Sequence, residues 1–122
     1  MGDFQKLKVW ELSKELAVDI YRVVNGNPDF KKDLRFAGQI TSSAVSVPSN
    51  IAEGDELKTV KQGISHFFIA KGSCAELITQ IIIAKEIGLI ESEKAENLIQ
   101  RANLISIGLY KLIEVRKTWI KD

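Results

Sequence analysis

The stretch from Gln39 to Gly54, QITSSAVSVPSNIAEG, restricts the fold of this chain more than any other. If it is helical, polar residues at steps of four, three, four and three share one face, namely Gln39, Ser43, Ser46, Asn50 and Glu53. An adjacent face is apolar and carries Phe36, Ile40, Ala44, Val47 and Ile51. Gln, Ser and Asn suit buried hydrogen bonding, whereas a solvent-facing helix carries mostly Lys and Glu. The pattern therefore predicts an interior helix with a polar seam.

Pro48 lies in the middle of this predicted helix. It removes one backbone donor, clashes with the carbonyl of Ala44 and disfavours the helical conformation at Val47, at a cost of about 3 kcal/mol. Two outcomes are open: one kinked helix in which Ser and Asn side chains recover the freed backbone groups, or two helices broken at Val47. In either case Gly54 is predicted to end the element as a left-handed cap.

Four helical segments are predicted, covering residues 7–24, 29–53, 59–87 and 92–119. Asn27 or Asp29 is the expected cap of the second helix, and Thr59 with Gln62 forms a capping box for the third. Gly88 is expected to cap the end of the third helix. Because the links are short, the chain is predicted to be one all-α domain, an antiparallel up-down-up-down four-helix bundle.

The third predicted helix is apolar on nearly every side, which indicates a central helix or one that packs on another subunit. Gly72 and Ser73 lie in its middle, where a glycine costs about 1 kcal/mol relative to alanine. Close approach of another backbone would explain them, and the small residues at 41–46 are the predicted neighbours. Excess apolar surface on the first, third and fourth helices predicts a homo-oligomer.

Composition limits the functions that the chain can have. Its 122 residues include 17 Lys plus Arg and 16 Asp plus Glu, so the formal net charge is +1, which argues against wrapping long duplex nucleic acid. The single cysteine, Cys74, lies in an apolar segment and is expected to be a buried thiol. The N-terminus shows no signal-peptide core, and the longest apolar run, Leu77–Ala84, is too short to cross a bilayer. A cytoplasmic protein with no membrane contact is predicted.

Few residues could carry chemistry. Glu53 and Glu76 are the acids expected to be partly buried, and the second and third helices could bring them together. A di-metal carboxylate site in a bundle needs Glu-x-x-His pairs, but the single histidine, His66, has Gly63 three residues before it. As a general base His66 would need a nucleophile that the sequence does not identify, and no phosphate-binding glycine motif is present. The sequence therefore predicts no enzyme, metal, cofactor or small-molecule substrate.

Three strings carry a family resemblance: SVPSNIAEG at 46–54 with Gln39 seven residues earlier, FFIAKGSCAEL at 67–77, and the opening FQKLKVWELS. Over nearly the whole chain they resemble the four-helix-bundle family named 23S rRNA intervening-sequence protein. The resemblance implies a protomer that assembles into a five-membered ring. The family is also similar to the accessory protein of diversity-generating retroelements, a pentameric barrel thought to hold nucleic acid. The family label describes where the genes lie and assigns no ribosomal role.

Two functions are open for such a ring. The resemblance favours binding of RNA or DNA, with phosphate contacts from Lys31, Lys32, Arg35, Lys58, Lys61, Arg116, Lys117 and Lys121. The alternative is a protein-binding scaffold or assembly module with no nucleic-acid role. A further set of residues is predicted to serve folding and subunit packing rather than a ligand: Gln39, Ser46, Pro48, Asn50, Glu53, Gly54, Gly72, Ser73 and Glu76.

Overall fold

The computed structural model describes residues 3–57 and 59–120. Within that part of the chain the structure is helical and contains no strand. The four α-helices are α1 (Lys8–Gly26), α2 (Leu34–Glu56), α3 (Val60–Glu86) and α4 (Ser92–Lys117). Two 3-10 turns precede α1 and α2, at Phe4–Lys6 and Pro28–Lys32. The predicted all-α class with four helices is confirmed.

The second helix starts later than predicted. A 3-10 turn at Pro28–Lys32, capped by the side chain of Asn27, takes the first residues of the predicted helix. The Asp33 Oδ1 atom then accepts a hydrogen bond from the backbone N–H of Phe36 at 3.1 Å and caps α2. Because these two capping side chains follow one another closely, the chain forms a turn and then a helix instead of one helix from residue 29.

α2 is continuous through Pro48, which rules out a break into two helices. Pro48 is buried, and in the same turn the Asn50 Nδ2 atom donates a hydrogen bond to the Ser46 carbonyl at 2.9 Å. The predicted left-handed cap at Gly54 is wrong, because Gly54 lies inside α2 and does not have a positive φ. Within the described residues the positive φ belongs to Gly88, at 81°, where it follows the end of α3 as predicted.

The ends of α3 and α4 lie close to their predicted positions. The Thr59 hydroxyl accepts a hydrogen bond from the Gln62 backbone N–H at 3.1 Å, so the predicted N-cap of α3 is confirmed. α4 ends at Lys117, two residues before the predicted end, and the chain then turns so that Trp119 lies beside Arg116. This turn brings the end of α4 over the start of α3.

The core lies between the four helices. α2 packs against α1 and α3, and α4 packs against α3 and, less extensively, against α1, so α2 and α4 occupy diagonal corners. The large side chains with almost no exposed surface include Ile20, Phe30, Ile40, Ile51, Phe67, Leu77, Ile81, Leu98 and Leu109. Cys74 is buried among them, and desolvation raises the pKa of its thiol to about 11. The predicted buried thiol is confirmed.

α3 is long and apolar enough, by length and composition, to cross a membrane. This differs from the expectation drawn from the short run Leu77–Ala84, because the few polar residues elsewhere in α3 lower its mean hydropathy little. In the bundle 39% of its most apolar window is buried, and core helices of bundles meet the same criterion. Part of the remaining apolar surface of α3 contributes to an exposed face described below.

Candidate functional site

The polar seam predicted along α2 faces α3 and has two different halves. In the closed half, residues 46–54 of α2 contact residues 63–73 of α3 through hydrogen bonds and close backbone approach. In the open half, residues 35–43 of α2 and 76–80 of α3 line a cleft. Both halves contain small and amide-bearing polar residues, but their side chains have different partners.

Hydrogen bonds connect the polar side chains of the closed half across the two helices. The hydroxyl oxygens of Ser46 and Ser73 are 2.9 Å apart. The Asn50 Nδ2 atom donates to the Ser46 carbonyl at 2.9 Å and to the Ser46 hydroxyl at 3.1 Å. The Asn50 Oδ1 atom lies 3.0 Å from Nδ1 of His66. Ser46, Asn50 and Ser73, which were predicted to serve packing, therefore join α2 to α3 together with His66.

His66 lies at the solvent side of this network. Because the Asn50 amide uses its N–H groups on Ser46, its oxygen accepts from His66, which assigns the ring proton to Nδ1. Glu53 Oε2 lies 3.4 Å from the same nitrogen, but the Glu53 side chain is 58% exposed, so this contact is weak. Among the described residues no hydroxyl or thiol hydrogen-bonds to His66, and no three His, Cys, Asp or Glu side chains are grouped to hold a metal ion.

Two glycines bring the backbones of α2 and α3 together at the end of the closed half. A Cβ atom added to Gly54 would lie 2.8 Å from the Gly63 carbonyl oxygen and 2.7 Å from the Phe67 ring. A Cβ atom on Gly63 would collide with the carbonyl oxygen of Gly54. Gly72 has no such neighbour within 4 Å, so the prediction that it marks a close backbone approach is wrong. The reason is helix phase, since α3 turns the adjacent Ser73 toward α2.

The buried acid is Asp55 rather than Glu53 or Glu76, both of which are exposed. The Ser46–Ser73 contact sets the register of the two helices and leaves the two glutamates about 15 Å apart along the axis. The expectation that the two glutamates are partly buried and approach one another is therefore wrong.

Asp55 forms an ion pair with Arg116 where α2 and α4 end. The Arg116 Nη2 and Asp55 Oδ1 atoms are 2.8 Å apart, and the side chains are 13% and 4% exposed. The guanidinium also lies over the rings of Phe67 and Trp119, 5.3 and 4.4 Å from their centroids. The protein itself holds this guanidinium through Asp55 and the two rings, an arrangement that does not favour a phosphate contact, and the role of Arg116 in nucleic-acid binding stays a prediction. One signal was available, since Asp55 follows Ile51 by four residues and continues the apolar stripe.

The open half forms a polar cleft of about 560 Å³ between α2 and α3. It is lined by Leu34, Arg35, Gly38, Gln39, Ser42, Ser43, Glu76 and Gln80. Within residues 3–57 and 59–120, none of the polar side chains in this set forms a hydrogen bond or ion pair with the protein. The Oε1 atom of Gln80 is buried without a partner. Gln39 and Glu76, which the sequence assigned to packing, therefore line a cleft.

The predicted phosphate-contacting residues lie at two ends of the bundle. At the end where α2 begins are Lys31, Lys32 and Arg35. At the opposite end are Lys61 and Lys117. The 23 residues of α2, about 35 Å of helix, separate the two groups, so they do not form one basic patch. Lys32 and Lys117 each pair with an acid three residues earlier, while Lys58 and Lys121 lie outside the described residues.

Large apolar side chains are exposed on the outer sides of α3 and α4. Phe68 and Ile82 lie fourteen residues apart and share one side of α3, and Ile107 and Tyr110 project from α4. These four residues, called the α3–α4 face, are between 39% and 56% exposed. Exposed clusters of large apolar side chains mark interaction surfaces more often than isolated ones do.

Comparison with known proteins agrees with the fold and the sequence motifs. The family model described as 23S rRNA-intervening sequence protein matches residues 5–111. A similar solved structure is the crystal structure of a protein with unknown function from the S23 ribosomal protein family of Bacteroides thetaiotaomicron VPI-5482. It has a TM-score of 0.81 and 23% identity, over 86% of this chain and 97% of that chain, and at this identity the likeness shows the fold alone. No curated protein matches. The extent of the family match confirms the resemblance, and the chain belongs to the 23S rRNA-intervening sequence protein family.

Proposed function

We propose that this protein is a non-enzymatic homo-oligomer whose helical-bundle protomers assemble head to tail. The observation that carries the proposal is the α3–α4 face, in which Phe68, Ile82, Ile107 and Tyr110 are exposed together. In an isolated protomer these side chains remain in water. A second copy that covers them removes apolar area from solvent, at about 25 cal/mol for each Å².

An antiparallel, up-down-up-down arrangement of the helices is part of this proposal. Contacts between α2 and α3, between α3 and α4, and between α1 and α4 support it. In each pair, contacts at higher residue numbers of one helix involve lower residue numbers of the other. The supporting contacts are Ser46 with Ser73 and Gly54 with Gly63, Phe67 with Arg116 and Lys85 with Glu96, and Val9 with Gly108 and Asp19 with Arg101. Short connections between consecutive helices favour the same arrangement.

A second apolar surface supports a head-to-tail contact over a symmetrical one. A cleft of about 580 Å³ between α1 and α2 is lined by apolar groups of Tyr21, Val24, Phe30, Leu34 and Ala37. Because α2 and α4 occupy diagonal corners, this cleft and the α3–α4 face point in different directions. A face that enters the cleft of the next copy generates a ring if the rotation closes. We take five as the number of copies from the family resemblance.

Two complementary variants test the head-to-tail contact. Phe68→Asp places a charge on the α3–α4 face, and Tyr21→Asp places one beside the α1–α2 cleft, so each variant alone should sediment as a 13.6 kDa monomer. In an equimolar mixture, the intact cleft of one variant can bind the intact face of the other. Analytical ultracentrifugation should then show a dimer and nothing larger.

The same experiment has two controls. Val115→Asp changes an exposed apolar residue of α4 outside the α3–α4 face and should keep the wild-type mass. A symmetrical contact between two α3–α4 faces would leave Tyr21→Asp assembled and would contradict the head-to-tail arrangement. A wild-type protein that is monomeric at micromolar concentration would overturn the whole proposal.

Binding of RNA or DNA by this oligomer is the second candidate function, favoured by the end of the bundle where α2 begins. Lys31 and Arg35 form no ion pair within the described residues. Arg35 lines the polar cleft of the open half, and Lys31 lines the neighbouring α1–α2 cleft at the same end of the bundle. Cationic side chains beside a polar cleft suit a strand whose phosphates stay at the surface while other groups enter the cleft.

Fluorescence anisotropy with labelled single-stranded RNA and duplex DNA, at low and physiological salt, tests this function. Lys31→Glu and Arg35→Glu should each weaken binding, because each removes a phosphate contact. Each should also make the slope of log affinity against log salt concentration less steep by about one. Lys117→Glu, at the opposite end, is the matched control and should change the affinity little. If the assembled protein binds neither nucleic acid at low salt, the protein-binding scaffold becomes the better function.

A further inference from the structure

The open half of the seam contains hydrogen-bonding groups that resemble those of the closed half but lack partners. In the closed half Ser46, Asn50 and His66 all have side-chain partners. In the open half the side chains of Gln39 and Gln80 have none among the described residues, and the Gln80 Oε1 atom is buried. Buried amide oxygens are almost always hydrogen-bonded in native proteins. Because Gln80 lines the cleft, a turn of its side chain toward the cleft would let this oxygen accept from a donor outside the chain.

The cleft has a cation toward one end and an acid toward the other. The register of α2 and α3 places Gln39 nearly level with Gln80. Arg35 lies one turn from Gln39 toward the start of α2, and Glu76 lies one turn from Gln80 in the opposite direction. With a rise of 1.5 Å per residue, Arg35 and Glu76 are about 12 Å apart along the cleft. A ligand that spans it therefore needs an anionic end and a hydrogen-bond-donating end.

A nucleotide has both ends, with its phosphate on one side and the edge of its base on the other. Arginine binds phosphate oxygens in a bidentate manner. Carboxylate and amide oxygens accept hydrogen bonds from the exocyclic amino groups of bases. We infer that the open half binds an unpaired nucleotide of RNA or DNA, with its phosphate on Arg35 and the amino edge of its base against Gln80 and Glu76. This inference rests on the proposed nucleic-acid binding.

The same groups predict which bases and strands are bound. In a duplex, base pairing occupies the Watson–Crick edge, and the amino groups can be reached only from within the grooves, so a cleft that takes up a whole base favours single strands. Adenine, cytosine and guanine carry an exocyclic amino group, whereas uracil and thymine do not. The negative charge of Glu76 also repels a phosphate from its own end of the cleft, which fixes the direction in which the nucleotide binds.

Anisotropy with two fluorescein-labelled 12-nucleotide RNA strands tests the inference on the assembled protein. One strand carries adenine at every position, and the other is abasic with the same backbone. The wild type should bind the adenine strand about tenfold more tightly. Gln80→Ala should bring the two affinities to within about twofold, whereas Glu76→Gln, which keeps an amide oxygen as acceptor, should reduce the preference by less. Glu76→Gln should leave the affinity for the abasic strand unchanged or tighter, because it removes a negative charge.

Gln100→Ala is the control, because Gln100 is an exposed glutamine of α4 outside the cleft, and it should keep the tenfold preference. Equal wild-type binding of both strands would overturn the inference that the open half binds a base, but it would leave the proposed nucleic-acid binding intact. No binding of either strand would overturn both. If Glu76→Gln or Gln80→Ala lowers the oligomer mass, the cleft is covered by a second copy of the chain, and the inference fails even though binding has changed.

Discussion

The two halves of the α2–α3 seam contain similar types of polar residue but differ in how closely the two helices approach each other. In the closed half, Gly54 and Gly63 allow direct backbone contact, and the Ser46 and Ser73 hydroxyls reach each other at 2.9 Å. In the open half no glycine pair faces across the seam, and longer side chains line a cleft of about 560 Å³. The comparison indicates that backbone approach, more than residue type, decides whether a polar side chain finds a partner inside the protein.

This difference assigns different roles to the two halves. Paired polar groups at a close contact stabilise the fold, because removing one leaves the other buried and unsatisfied. Unpaired polar groups in a cleft contribute little to stability and are available to a ligand. Substitutions should therefore lower stability strongly at the closed end of the seam and hardly at the open end.

Asp55→Ala should have the largest effect, because it leaves the Arg116 guanidinium buried without its partner at the end of the closed half. Breaking one side of a buried ion pair lowers the free energy of unfolding by about 3–5 kcal/mol. Urea denaturation at a fixed protein concentration measures the change. The double variant Asp55→Leu with Arg116→Met is the matched control and should recover most of the loss, because it removes both charges. A loss below about 1 kcal/mol for Asp55→Ala would mean that the pair does not anchor this end.

Gly63→Ala should have the next largest effect, because the added methyl group collides with the Gly54 carbonyl and pushes α2 away from α3. Overpacking of this kind costs about 1–3 kcal/mol, more than the helix propensity that alanine adds. Gly72→Ala on the same helix is the control and should raise the stability by up to about 1 kcal/mol, since nothing lies within 4 Å of its added Cβ atom. Equal effects of the two substitutions would contradict the close approach at Gly63.

Asn50→Ala should lower the stability by about 1–2 kcal/mol, because it removes the hydrogen bonds to Ser46 and leaves His66 without its acceptor. Ser49→Ala, at the exposed neighbouring position, should change the stability by less than about 0.5 kcal/mol. Thermal unfolding followed by circular dichroism compares the two, with the mass of each variant checked by sedimentation. If the two variants unfolded at the same temperature, Asn50 would not have its predicted structural role.

Much of the fold could be predicted from the sequence, because periodicity and capping are local signals. The cap at Thr59 and the left-handed Gly88 were found from neighbouring residues alone. Gly54 was misassigned because a glycine near a helix end usually marks the end. Its actual role depends on Gly63, which comes from another helix and has no local signal.

The candidate site was less predictable, because the partners of its residues lie far away along the chain. The polar face of α2 was identified, but nothing in its spacing separates Asn50, which has partners, from Gln39, which has none within residues 3–57 and 59–120. Glu53 and Glu76 were expected to be the partly buried acids, whereas helix phase and the distant Arg116 bury Asp55. Each error concerns an interhelical contact that a single-helix pattern cannot contain.

Gln80→Met should have the smallest effect and the opposite sign. It replaces a buried, unpaired amide oxygen with an apolar group of similar size, so the stability should rise by up to about 1 kcal/mol. Gln100→Met, at an exposed position of α4, is the control and should leave the urea midpoint nearly unchanged. A loss as large as that of Asn50→Ala would mean that Gln80 is paired in solution, and the two halves would no longer differ. A gain in stability combined with weaker binding of the adenine strand would show that the open half retains an unsatisfied group at the expense of the fold, as binding sites often do.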